Sequence, residues 1–265
     1  MSNDSILIER EGFVATVILN RPERKNSLNP EMLLLIAEHL GELSKDDEVR
    51  TVVFRGAGEG SFSSGYDIAE IPTGLSEEQK KELAKRSPLE IGLDAVENFR
   101  YPTIAMIDGY AFGAGCELAV TCDIRIASVG SRMGIPPSRL GLVYHPRGIQ
   151  RFINVVGLAN AKELFFTGRF YEVERALEMG MVSYLVKREE LGAFTYEMAR
   201  EIASNAPLAL KGHKHIFNRL LSHQGISEED YPEIEKMITD SLNSEDLREG
   251  AAAFFERRPA KFKGR

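Results

Sequence analysis

Three short runs, TVVFRG (51–56), TIAMI (103–107) and IRIAS (124–128), are apolar along nearly their whole length and are separated by helical patterns. A strand with one wet face alternates apolar and polar residues. A strand that does not alternate is covered on both faces, as in a parallel sheet flanked by helices. MVSYLV (181–186) reads the same way. Helical patterns fall at about 113–122, 160–167, 172–179 and 189–204, with Gly168 and Gly180 placed to end two of them. Residues 5–9 and 13–19 read as a strand pair around Glu11-Gly12. A helix then starts with Asn29 as N-cap and Pro30 at its first position, carrying Met32, Leu33, Ile36, Leu40 and Leu43 at helical spacing. The alternation predicts an α/β fold.

The net charge of −7 and pI near 5.4 argue against nucleic acid or an anionic membrane as a main partner. Two cysteines, Cys116 and Cys122, give no disulfide framework and suit a reducing compartment. The start MSNDSILIERE lacks the basic and apolar regions of a signal peptide, and the longest apolar stretches run five or six residues, too short to span a membrane. A cytoplasmic, soluble protein is expected.

Residues 72–90, PTGLSEEQKKELAKRSPLE, are strongly charged and bracketed by Pro72 and Pro88. Ser76 and Gln79 form a capping-box pattern inside them. The stretch reads as a solvated insertion, with a moving lid as the alternative. Beyond residue 205 the strand patterns stop, which divides the chain into a core of residues 1–204 and a helical region, 205–265, suited to oligomer contacts.

The glycine-rich turn DGYAFGAGCEL (108–118) follows a strand and opens a helix. A phosphate-binding P-loop needs Lys-Ser/Thr where Cys116-Glu117 stands, and a dinucleotide fingerprint needs a third glycine where Leu118 stands. The remaining reading uses the helix end itself. Its first N–H groups have no intrahelical acceptor and carry partial positive charge, so they suit an oxyanion that forms during a reaction. Glu117, in the first turn, would repel a static phosphate but serves as a proton carrier beside a carbonyl; alone, it also reads as an ordinary helix N-terminal acid. GSFSSGYDI (60–68) makes a second glycine turn after a strand. Two such turns at strand C-terminal ends can bring two main-chain N–H groups onto one thioester or ester oxygen.

LNRPERKNSLN (19–29), SFSSGYDIAEI (61–71), GYAFGAGCELAVTCDIRIAS (109–128) and LFFTGRFYEVERALEMGMVSYLV (164–186), with NAPLALKGHK and the end EDLREGAAAFFERRPAKFKGR, strongly resemble the enoyl-CoA hydratase (crotonase) superfamily. The resemblance spans residues 5–265 and implies a crotonase-like spiral of ββα units with a helical C-terminal trimerisation region, as a trimer or a dimer of trimers. It also implies acyl-CoA substrates, with coenzyme A entering as part of the substrate and no metal or other cofactor. By the same resemblance, the N–H groups of Tyr66 and Ala114 form the oxyanion hole. Lys25, Ser27, Leu28, Ser64, Gly65, Asp67, Ile68 and Gly113 line the acyl-CoA channel. Arg257 meets a neighbouring subunit's CoA phosphates or else sits in a solvated basic tail.

The family's typical hydratases flank a water with two glutamates. Glu117 matches the first, but the second falls on Pro137, which cannot move a proton, and no other acid lies between Asp123 and Glu163. What stands nearby is LGLVYHPRG, whose Tyr144 and His145 are candidate proton donors. This segment resembles the methylmalonyl-CoA decarboxylase branch, which has a tyrosine at the place of Tyr144 and a histidine at that of Tyr66. Tyr144 also reads as a core tyrosine, and His145 reads first as a turn residue held extended by Pro146. His213 and His215 point roughly 200° apart on a helix and cannot share a metal. The expectation is an acyl-CoA lyase stabilising a thioester enolate, most simply a 2-enoyl-CoA hydratase, with decarboxylation and double-bond isomerisation as alternatives. A non-catalytic acyl-CoA-binding scaffold is the alternative of another class.

Overall fold

The computed structural model describes residues 5–67, 69, 87–222 and 231–263. The chain first forms an antiparallel pair, β1 (Ile6–Glu11) and β2 (Val14–Leu19), turning at Gly12 with φ 56°. Asn29 caps α1 (Pro30–Leu43) as expected, its side chain accepting from Met32 N at 2.9 Å. From there the chain repeats one excursion. A strand of a large sheet is followed by a three-residue strand of a small sheet and then by a helix. β3 (Thr51–Gly56) leads to β4 (Ser61–Ser63) and then α2 (Pro88–Glu97); β5 (Thr103–Ile107) leads to β6 (Tyr110–Phe112) and α3 (Ala114–Thr121). β7 (Ile124–Ser128) leads to β8 (Arg132–Gly134), a 3-10 turn at Pro137–Leu140 and α4 (Pro146–Thr167). β9 (Phe170–Glu172), α5 (Val173–Glu178), β10 (Tyr184–Val186) and α6 (Leu191–Ser204) complete this part. This is the expected ββα spiral.

The large sheet runs β1-β2-β3-β5-β7-β10 and is parallel from β2 onward; the small one runs β4-β6-β8-β9 and is antiparallel only between β8 and β9. The unbroken apolar runs are explained by two cores. Val52, Phe54 and Ala105 face the larger core with α1 and the small sheet, while Val53, Ile104 and Ile126 face Leu191, Ala199 and Ala203 of α6. Each fully buried large side chain of this kind contributes about 1.5–3 kcal/mol. After α6 come only helices among the described residues: α7 (Pro207–Ser222), α8 (Tyr231–Asn243) and α9 (Glu245–Glu256).

Three boundaries differ from the sequence reading. The helix expected at 160–167 begins at Pro146 and is interrupted only at Gly157, where φ is 73°. The strand expected at 181–186 keeps only its last three residues. Residues 88–90 of the charged stretch belong to α2, which starts at Pro88 and is capped by Ser87 through Glu90 N at 3.2 Å, while residues 72–86 lie outside the described residues. The capping-box pair Ser76 and Gln79 lies outside the described residues.

Candidate active site

Two backbone turns meet at the mouth of the small sheet. The 65–67 stretch is pinned to residue 28: Leu28 N donates to Gly65 O and Asp67 N to Leu28 O, both at 2.8 Å. Gly65 has φ 105°, and a Cβ there would lie 2.8 Å from Phe112 O and 3.5 Å from Gly113 Cα. Only glycine permits both that conformation and that approach. The loop after β4 is thereby pressed against the turn that opens α3. Ala114 is the first residue of α3, so its N–H belongs to those with no acceptor inside the helix.

Both turns face a cavity of about 1440 Å³, bounded by Lys25, Ser64, Gly65, Tyr66, Gly113, Ala114, Pro137, Tyr144 and His145 together with residues of α2, α8 and α9. Of the expected channel residues, Ser27, Leu28 and Asp67 are not on its wall. Leu28 is fully buried, the Ser27 carbonyl accepts from Arg21 Nη1 at 3.0 Å, and Asp67 pairs with Arg21 at 3.3 Å. Arg257 is exposed at the end of α9, while its neighbour Arg258 reaches the wall, tied to Glu249 at 2.6 Å. Ile68 lies outside the described residues.

Glu117 is 0% exposed and is absent from the described cavity wall. Tyr144 stands between it and the cavity, donating its hydroxyl hydrogen to Glu117 Oε2. Arg151 Nη1 donates to the other oxygen, Oε1, at 2.9 Å. Gly148 makes this packing feasible, because a Cβ there would meet Tyr144 Cε1 at 2.5 Å and Glu117 Oε1 at 2.8 Å. Arg151 also bonds Asp94 Oδ1 at 2.8 Å and Glu97 Oε2 at 3.1 Å, and lies 3.4 Å from Glu90 Oε2. His145 caps α4 by accepting from Arg147 N at 3.3 Å, and its Nδ1 lies 3.7 Å from Glu90 Oε1.

Burial raises the Glu117 carboxyl above the ordinary value, against the pull of Arg151, and nearby Glu90 adds to the rise. Burial, with the adjacent Glu117 charge, holds the Tyr144 phenol well above its ordinary value, so it stays protonated at neutral pH. Four carboxylates (Glu90, Asp94, Glu97, Glu117) here face two guanidiniums, Arg147 and Arg151, and that excess of negative charge favours a proton on one of the acids. The arrangement is a buried acid joined to the cavity through a phenol, which can carry a proton to or from whatever the cavity holds.

The role of α2 was missed by the sequence reading. Glu90, Asp94 and Glu97 share one helix face at spacings of four and three residues, and Arg147 and Arg151 share another four apart. That matched pattern of acids and bases was the available signal. Glu90 and Asp94 also reach the cavity wall, so carboxyl groups outside the span 123–163 do approach it. Among the described residues, no group of three or more His, Cys, Asp or Glu is placed to hold a metal ion, and no helix is long and apolar enough to cross a membrane.

The chain matches the family model described as enoyl-CoA hydratase/isomerase over residues 9–265. It is 39% identical over 219 residues to the short-chain-enoyl-CoA hydratase of Clostridium acetobutylicum, covering 83% of each chain. It is 31% identical over 266 residues to the crotonyl-CoA hydratase of Syntrophomonas wolfei, covering 99% of each. Among solved structures, methylmalonyl-CoA decarboxylase complexed with 2S-carboxypropyl CoA superposes with a TM-score of 0.91 at 30% identity, covering 100% of both chains.

Proposed function

The chain belongs to the enoyl-CoA hydratase/isomerase family, and from that premise we propose that it is a lyase acting on a short acyl-CoA through a thioester enolate. In this reading the thioester carbonyl lies between the N–H groups of Tyr66 and Ala114, where hydrogen bonds stabilise the developing oxyanion by several kcal/mol. Supporting it, the turns that carry these residues touch through Gly65 and face one cavity. CoA arrives with the substrate and the chemistry calls for no further cofactor.

The reaction this geometry supports best is loss of CO2 from a 2-carboxyacyl-CoA. The observation that carries it is the placement of Tyr144 on the cavity wall, hydrogen-bonded to the buried Glu117. When the C–C bond to the carboxylate breaks, its electron pair enters the enolate held by the two amides. Tyr144 then gives its proton to the α-carbon. Glu117, protonated at the start of the cycle because burial raises it, reverses the hydrogen bond, passes its own proton to the phenolate and regains one from solvent. No base needs to attack the substrate, which agrees with Pro137 on the wall where a hydratase has its second glutamate.

Hydration of a short 2-enoyl-CoA is the second reading. It is favoured by the relative from Clostridium acetobutylicum and by Glu90, which adds a carboxyl on the cavity wall to the buried Glu117 behind it. CO2 release from methylmalonyl-CoA, measured beside hydration of crotonyl-CoA, separates the two by the larger kcat/KM. Tight binding of both with turnover of neither would indicate a scaffold and end the lyase reading.

Oligomerisation belongs to the same proposal. Leu208, Ile216, Phe217 and Leu220 of α7 are each more than half exposed, a face suited to contact between copies of the chain. Size-exclusion chromatography with light scattering tests it: a trimer or hexamer supports the reading and a monomer removes it.

A further inference from the structure

Arg151 does not line the cavity and its side chain is 5% exposed, so it is not placed to touch a substrate. A buried guanidinium is costly unless its donors are used, and here they are. Nη2 and Nε go to Asp94 and Glu97 of α2, leaving Nη1 for Glu117 and the flank of Glu90. A mere tie between α2 and α4 does not require this residue, because Arg147 already joins the same two carboxylates from a more exposed position.

We propose that Arg151 is a positioning residue: α2 fixes its guanidinium, which grips Glu117 Oε1 and leaves Oε2 alone aimed at the Tyr144 hydroxyl. The inference rests on the reading of Glu117 and Tyr144 as a proton-transfer pair and deepens it. A planar guanidinium held by three carboxylates cannot rotate away, whereas an ammonium could. Glu117 therefore presents Oε2 to Tyr144 in one direction, and its affinity for a proton is set by opposed neighbours. The Arg151 cation lowers it; the Glu90 charge raises it. Asp94, Glu97, Arg147 and, beside Glu90, His145 complete the charged and titratable groups around the pair.

The test uses Arg151→Met, Arg151→Lys and Glu90→Gln in the full chain. Three quantities are followed: melting temperature, kcat and KM on the thioester turned over, and the Glu117 titration by carbon-13 NMR, assigned with Glu117→Gln. Arg151→Met should lower kcat by about 100-fold with KM within about threefold, since a positioned proton carrier is disturbed but binding is not. The Glu117 midpoint should move up in Arg151→Met, less in Arg151→Lys, and down in Glu90→Gln. A lower melting temperature with an unmoved Glu117 titration and an unchanged kcat for the folded protein would make Arg151 a structural strut and overturn the proposal. Should Arg151→Met fail to fold, Glu90→Gln and Arg151→Lys still decide by their opposite shifts. Should the wild type turn over no thioester, the proposed reaction fails, yet the Glu117 titration still settles the role of Arg151.

Discussion

Glu117 and Tyr144 are joined by a hydrogen bond that crosses the cavity wall, with the carboxyl fully buried and only the phenol facing the space where a substrate fits. Tyr144→Phe keeps the ring that packs on Phe165, centroids 5.4 Å apart, and removes only the hydroxyl. Steady-state kinetics should show kcat lowered about 10²–10⁴-fold, the range of a positioned proton donor. Leaving one oxygen of a buried carboxyl unpaired should destabilise the fold by about 1–3 kcal/mol in urea titrations.

Gly148→Ala tests the packing that brings the pair together. Alanine in a helix usually stabilises, by about 0.5–1 kcal/mol over glycine. At Gly148 the added methyl would meet Tyr144 Cε1 at 2.5 Å, so overpacking of about 1–3 kcal/mol should dominate and kcat should fall with it. Gly41→Ala in α1, where nothing lies within 4 Å of the added atom, is the control and should raise the melting temperature slightly.

Pro137→Glu restores a carboxyl where the family's hydratases carry one. Position 137 opens a 3-10 turn on the cavity wall, so the side chain can enter the cavity without breaking a helix. The ratio of crotonyl-CoA hydration to methylmalonyl-CoA decarboxylation should rise by about tenfold or more, through an added proton carrier and repulsion of the substrate carboxylate. An unchanged ratio would place Pro137 away from the acyl group.

How much of this could be read beforehand follows from the length of each signal. Asn29-Pro30 and the apolar runs at 51–56, 103–107 and 124–128 combine a cap or a continuous pattern with a single meaning, and each element formed where expected. β4, β6, β8 and β9 have three residues each, too few for a period to show; β4, β6 and β8 each follow a strand of the large sheet, and β9 pairs with β8. The first half of α4 was missed; it carries Gly148 and Gly157, of which only Gly157 departs from helical angles. Within the site, Glu117 and Tyr144 were legible as chemistry. Arg151 was not, because its value depends on α2 lying against α4, a contact between residues about 60 apart that no local pattern encodes.

The raised carboxyl of Glu117 makes stability depend on pH in a definite direction. Between the ordinary carboxylate value and the raised one, the folded chain keeps a proton there that the unfolded chain has lost, so stability falls as pH climbs through that window. Asp94, also raised by burial, acts in the same sense but is present in both proteins compared. The melting temperature of the wild type relative to Glu117→Gln should therefore decline as pH increases across the window. A difference that stays flat would show that the carboxyl is not raised.

Two amides on one thioester oxygen are the core of the account, and Ala114→Pro examines one of them alone. Proline is tolerated at the first position of a helix, and Ala114 holds that position in α3, so the substitution removes the N–H donor while the helix remains. The decisive measurement is kcat of this variant, with its melting temperature recorded alongside. The account predicts a fall of about 10²–10³-fold with the fold intact. A folded variant that turns over substrate at the wild-type rate would contradict it.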